Sequence, residues 1–246
     1  MIKSKPTICI IGAGTTGVIT AKVLQARGLA FDCFEQGSQI GGLWRFGNDN
    51  GLNRIYRSLH INTPKRMMQL SDFPFPDDVP EYPGNADVIH YFEEYASHFE
   101  LIPRITFNSS VRRCERSDDG RWRVTVLGPQ GEYTRCYDAL LVATGHHWDP
   151  RRVEYPGYFS GVQLHAHDYC SVSEPIDLAN KRVVVVGAGN SAMDIACELG
   201  HAYREGRGPS RVILSQRSGV WITPKIMGNR LQEKALRHPM QRPGLL

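Results

Sequence analysis

The stretch "TICIIGAGTTGVITAKVLQARG", Thr7 to Gly28, decides how the rest of the chain is read. Ile8 to Ile11 form a short apolar run, the pattern of a central strand buried on both faces. The run enters Gly12-x-Gly14-x-x-Gly17, after which Val18, Ala21 and Leu24 recur at helical spacing and Gly28 supplies a stop. "AFDCFEQ" then predicts a second strand ending at Glu35. Strand, glycine turn, helix and strand make one βαβ unit.

The spacing has a chemical meaning. Gly12 permits a tight strand-to-helix turn, Gly14 lets a pyrophosphate approach the backbone, and Gly17 lets the helix pack close to the strand. The helix N-terminus then faces phosphate charge. Glu35 lies where a carboxylate can accept from the ribose hydroxyls of an adenosine. A glycine pair follows in Gly41-Gly42-Leu43-Trp44, suited to a second close backbone approach to a bulky cofactor.

A second copy of the unit begins at Lys181 with "KRVVVVGAGNSAMDIACELGHAYREG". Val183 to Val186 predict the strand, and Ala192, Ile195, Ala196 and Leu199 the buried face of the helix. The turn is Gly187-x-Gly189-Asn190-Ser191-Ala192, and the next strand ends in Ser215-Gln216-Arg217-Ser218 without a carboxylate. An acidic residue would repel a 2′-phosphate, whereas Arg217 and Ser218 would bind one. The two turns therefore point to two different dinucleotides, with NADP at the second.

Between the units, residues 41–83 read as a long structured loop rich in Gly, Asn and Pro. Helical spacing returns at Val88, Phe92, Tyr95 and Phe99, and turn signals at Asp118-Asp119-Gly120 and Gly128-Pro129 predict an antiparallel meander over about residues 104–138. An apolar strand, Ala139 to Ala143, runs into Thr144-Gly145. The fold class is α/β, with two Rossmann-like units, a meander inserted in the first, and a second unit that is incomplete.

Composition narrows the function. With 41% apolar and 22% charged residues the chain is of ordinary globular type, and its net charge of +4 is spread rather than blocked, which gives no case for a nucleic-acid partner. Six widely spaced cysteines without a Cys-x-x-Cys pair argue for reduced thiols, a cytoplasmic location and no dithiol redox centre. No apolar run reaches membrane-spanning length, so no membrane partner is expected. Neither a Gly-x-Ser-x-Gly elbow, a His-Glu-x-x-His pair nor zinc-type Cys/His spacing is present. "FSGVQLHAHDY", residues 159–169, has the look of a metal site, because alternate histidines on an extended segment share a side. Its place between two dinucleotide units makes it a domain crossing instead, with no metal.

Two dinucleotide sites flanking a meander suggest FAD and NADPH, and here the chain resembles the flavin-containing monooxygenases of the class B flavoprotein family. The resemblance rests on Phe159, Gly161, His165 and Tyr169 of the linker fingerprint, on "GGLW", "ATGHH" and "INTPKRMMQLSDFPFPDDVP", and on the second glycine turn. It implies an FAD-binding domain over 1–158, a linker over 159–172 and the start of an NADPH-binding domain over 173–246. It implies that NADPH reduces the flavin, and that reduced flavin and oxygen form a C4a-(hydro)peroxyflavin that oxygenates a soft nitrogen or sulfur nucleophile. Asn62 stands at the family's active-site asparagine, and His165 would couple domain geometry to the cycle. Baeyer–Villiger monooxygenases share most of these features but usually carry tryptophan where Tyr169 stands. Family members also continue well past residue 246, so a truncated or split enzyme is a further expectation, with the missing portion as a second chain, or a homo-oligomer, as partner.

Overall fold

The structure, a computed structural model, describes residues 6–52, 55–222, 225–227 and 230–231. The chain divides into two compact units, Met1–Tyr56 with Ala86–Asp168, and Arg57–Asn85 with Tyr169–Leu246.

The first unit is built outward from β1 (Thr7–Ile11), which leads through α1 (Thr15–Ala26) to β2 (Ala30–Phe34), parallel to β1 with Ile11 opposite Phe34. Helix α2 (Asn85–His98) follows the long loop, and the two-residue strand β3 (Ile105–Thr106) joins the edge of the sheet beside β2. Strands β4 (Ser110–Arg116), β5 (Trp122–Gly128) and β6 (Gly131–Tyr137) form a separate antiparallel meander. The chain then returns as β7 (Ala139–Val142), parallel to β1 on its other side, giving the order β3-β2-β1-β7.

Alternation along β1 sets the layers. Cys9, with Ile11 beside it, points to the meander and packs with Phe34, Val124, Val126 and Tyr137 in one core. Ile8 and Ile10 must then face the opposite side, where α1 buries Val18, Ala21 and Leu24. The apolar run is covered on both faces, as its composition requires. Val88, Phe92 and Tyr95 are buried on α2, and Phe99 meets Tyr95 edge to face at 4.8 Å. Gln25 at the end of α1 donates to the Phe99 carbonyl at 2.7 Å, tying the two helices.

All six cysteines are free thiols. Cys9 and Cys33 are fully buried, and burial pushes both up to about 12, so they act as small core residues and not as nucleophiles.

In the second unit β8 (Arg182–Val186) leads through α3 (Asn190–Arg204) to β9 (Arg211–Ser215), again parallel and with Val186 opposite Ser215. Helix α3 buries Ile195, Leu199 and Ala202, whereas Ala192 and Ala196 are half-buried, so the buried stripe lies further toward the C-terminus than the spacing suggests. Val184, Val186 and Ile213 are exposed on this pair of strands. The segment before α2 belongs here too. Its one-turn helix, Lys65–Met68, is held because the Lys65 ammonium donates to the carbonyls of Pro76, Asp77 and Val79 at 2.9, 3.0 and 2.7 Å.

Ile10→Ala removes most of a fully buried side chain at the centre of the first unit. It should lower the free energy of unfolding by about 2–5 kcal/mol in urea titrations, whereas Val23→Ala on the exposed side of α1 should change it by no more than about 0.5 kcal/mol.

Candidate functional site

The C-terminal ends of β1, β2 and β7 open into a cleft of about 330 Å³ within the first unit. Its floor is the Gly12–Gly17 turn. Gly12 has φ +97°, and a Cβ there would lie 2.6 Å from the Ala143 carbonyl oxygen of β7's extension. A Cβ on Gly17 would lie 1.9 Å from the Gly12 oxygen, closer than any side chain tolerates. Gly14 is the N-cap of α1 and offers no side chain, so the first-turn N–H groups stay available to an anion at the helix N-terminus.

Glu35 is the buried acid of this cleft, 5% exposed. One carboxylate oxygen accepts from the Ala13 N–H at 2.7 Å and the other from the Gly37 N–H at 2.9 Å. Each oxygen keeps a second lone pair, so the group can accept further hydroxyl donors while locking the glycine turn.

The glycine pair sits across from this turn. Gly41 N–H donates to the Ala13 carbonyl at 3.0 Å, and a Cβ on Gly42 would come within 3.0 Å of the Gly14 Cα. Gly14 and Gly42 therefore form a cradle that any side chain would fill. Leu43 and Trp44 complete the 3-10 turn Gly42–Trp44 and line the cleft, as do Thr144 and Gly145 past the end of β7.

Seven lining residues lie in no motif and were not expected from the sequence: Gln36, Asn50, Leu52, Ser109, Ser110, Val111 and Trp148; His146 lines the cleft as well. Gln36 joins three segments at the β2 end. Its amide donates to the Asn50 carbonyl at 2.7 Å and its oxygen accepts from the Ser110 hydroxyl at 3.1 Å. Only "ATGHH" contained a signal for His146. The others come from the end of β2, a polar loop, the start of the meander and the segment past β7, brought together by tertiary structure.

The second turn repeats the first with different chemistry. Gly187 N–H donates to the Ser215 carbonyl at 2.9 Å, as Gly12 N–H donates to the Phe34 carbonyl at 2.8 Å. The matching registers place Gln216 at the position of Glu35 and Arg217 at that of Gln36. A Cβ on Gly187 would meet the Ala192 Cβ at 3.5 Å, an ordinary contact, so an alanine is accommodated in the third place. Gly189 caps α3, leading directly into Asn190 and Ser191, and the space around Gly189 is open. Arg217 and Ser218 are exposed.

Asn62 is exposed in the second unit, just after Ile61, whose N–H donates to Pro83 at 2.9 Å. The linker fingerprint spans the division between units, which falls between Asp168 and Tyr169. Phe159 and Gly161 are exposed, and Tyr169 is buried. His165 accepts from the His167 N–H through Nδ1 at 3.1 Å. Burial would raise the Asp168 carboxyl, but the Arg152 guanidinium at 2.8 Å outweighs it and holds the group below its usual range. Among the described residues no three metal-capable side chains converge.

The flavin-binding monooxygenase-like family profile matches residues 5–236. The chain belongs to this family. It is 37% identical over 233 residues to flavin-containing monooxygenase 5 of Mus musculus, covering 91% of this chain and 42% of that protein. It is 36% identical to dimethylaniline monooxygenase [N-oxide-forming] 2 of Macaca mulatta, covering 89% of this chain and 41% of that protein. Among solved structures, S-allyl-L-cysteine S-oxygenase from Allium sativum superposes with a TM-score of 0.77 at 27% identity, covering 92% of this chain and 54% of that one. The chain thus spans well under two thirds of these relatives. Family members are NADPH-dependent flavin monooxygenases, and the α/β parallel sheet with its three-stranded meander is their fold.

Glu35→Ala would leave the Ala13 and Gly37 N–H groups unpaired in a buried place. It should lower stability by about 1–3 kcal/mol in urea unfolding without added cofactor.

Proposed function

We propose that the cleft of the first unit holds FAD and the second glycine turn holds NADPH, in a monooxygenase that oxygenates a soft nitrogen or sulfur nucleophile. The observation that carries this reading is the Gly14–Gly42 cradle beside buried Glu35. A pyrophosphate needs close backbone approach, N–H groups at a helix end and no side chain in the way, and the cradle offers all three. Glu35 would accept the adenosine ribose hydroxyls with its remaining lone pairs, and Gln36, Ser110 and Val111 would close that end. Trp44, Thr144 and Gly145 would bound the rest of the cofactor.

When bound, FAD supplies hydride acceptance from NADPH and oxygen activation. This chain's residues bind, orient and exclude water. Arg217 and Ser218 would hold the 2′-phosphate, since the position matching Glu35 is the neutral Gln216. Asn62 would offer an uncharged amide to the reacting groups. His165, with Nδ1 already bonded to the His167 amide, would present Nε2 as its free donor at the division between units. The names of two relatives, N-oxide-forming and S-oxygenase, favour nitrogen or sulfur over ketone oxygenation.

A second reading has its own observation. Val184, Val186 and Ile213 are exposed although parallel strands of this composition are normally covered on both faces. On this reading the chain binds FAD but completes turnover only with further polypeptide.

Purified protein titrated with FAD should bind about one equivalent, turn yellow and oxidise NADPH with oxygen uptake. FAD binding without NADPH oxidation would favour the second reading, and no FAD binding would refute both. Arg217→Ala should weaken NADPH binding by about 10–100-fold and leave NADH unchanged, as expected for a lost hydrogen bond to a charged group. Equal effects on both nucleotides would remove Arg217 from the 2′-phosphate site.

A further inference from the structure

We propose that the Arg45–Glu93 pair is a positioning device for the cofactor cleft, holding the Gly41–Gly42 turn against α2 so that Gly42 faces Gly14 at the distance a dinucleotide requires. The proposal rests on the reading of the cleft as an FAD site. Its basis is a set of contacts that converge on one short turn. Gly41 and Gly42 are consecutive residues in the left-handed region, at φ +117° and +52°. Two adjacent glycines have more conformational freedom to lose than any other pair, so the turn needs external restraint to hold one shape.

Arg45 supplies restraint from one side. Its Nε donates to the Ile40 carbonyl at 2.7 Å, immediately before the glycine pair, and its Nη2 donates to Glu93 Oε1 at 2.5 Å on α2. The guanidinium therefore closes the turn on itself and fastens it to a rigid helix with one planar group. Ile89 lies one turn earlier on the same face of α2, and its Cδ1 would be 2.1 Å from a Cβ on Gly41. Helix α2 thus seats the turn through Ile89 and grips it through Glu93. Asn48 supports the far side, donating from Nδ2 to the Gly42 carbonyl at 2.9 Å.

An ordinary surface ion pair would contribute little. This one differs because the Arg45 side chain is only 17% exposed and its second donor is spent on the backbone of the turn itself. Arg45 is not itself among the residues that line the cleft, so it acts on the cleft through the glycine turn it holds.

The test uses the full chain as wild type, Arg45→Met, Arg45→Lys and Glu93→Gln. Hydrogen exchange by mass spectrometry on the cofactor-free protein reads the peptide spanning residues 40–48, and FAD titration reads affinity. Arg45→Met should speed exchange in that peptide while the β4–β6 amides keep their protection, and should raise the Kd for FAD about tenfold, the cost of freeing two glycines. Arg45→Lys keeps the charge but reaches one partner at a time, so it should fall between, as should Glu93→Gln. These two variants keep the question answerable if Arg45→Met does not fold. Unchanged exchange, or faster exchange with FAD affinity within twofold of wild type, would overturn the proposal. Failure of the wild type to bind FAD would overturn the cleft reading and this proposal together, while a loss of affinity confined to the variants separates the two.

Discussion

A helix packed so close to a strand that no side chain fits between them governs the geometry of the first unit. A Cβ on Gly17 would stand 1.9 Å from the Gly12 oxygen, and one on Gly12 would stand 2.6 Å from the Ala143 oxygen. The chain at this point is flanked by backbone on two sides. That contact aims α1 so that its uncapped N-terminus opens over the ends of β1, β2 and β7. The cleft follows from the packing, because the same absence of side chains that brings helix and strands together leaves N–H groups facing outward.

Glu35 shows how the turn is stabilised once formed. Burying a carboxylate is expensive unless it is hydrogen-bonded, and this one accepts from the backbone of the glycine turn and from Gly37. It also lies near the positive end of the helix. The acid thus has a structural role of its own. It orders the turn without a ligand, and on the proposed reading this reduces what cofactor binding must organise.

The sequence made local chemistry legible and left most long-range chemistry hidden. The Gly12–Gly17 spacing, the run Ile8–Ile11 and the acid at Glu35 together define strand, helix and cleft floor, because each depends on neighbours a few residues away. The two copies of the unit were visible for the same reason. Ser109 to Val111 and Asn50 could not be read, since they reach the cleft through the placement of the meander and a polar loop. Arg45 and Glu93 lie 48 residues apart and belong to no spacing rule. On α3 the expected face is the one buried, at Ile195 and Leu199, but the stripe runs on to Ala202 and leaves Ala192 half-buried, because the extent of covering on a two-stranded sheet is a tertiary property.

The two turns, compared at matched register, separate what the backbone demands from what the ligand demands. Both spend the first glycine N–H on the carbonyl that ends the neighbouring strand, at 2.8 and 2.9 Å. Both place a glycine at the helix cap. These features are common because they make the turn itself. The third position differs for a packing reason: Gly17 is pressed against backbone, whereas Ala192 has room for its methyl group. The position after the strand differs for an electrostatic reason, with Glu35 in one unit and Gln216 followed by Arg217 in the other. A buried carboxylate bonded to its own turn suits neutral hydroxyls and repels a phosphate, while an exposed guanidinium does the reverse. On the proposed reading, one backbone solution serves two cofactor chemistries, and the choice between them rests on one or two side chains at the end of the second strand.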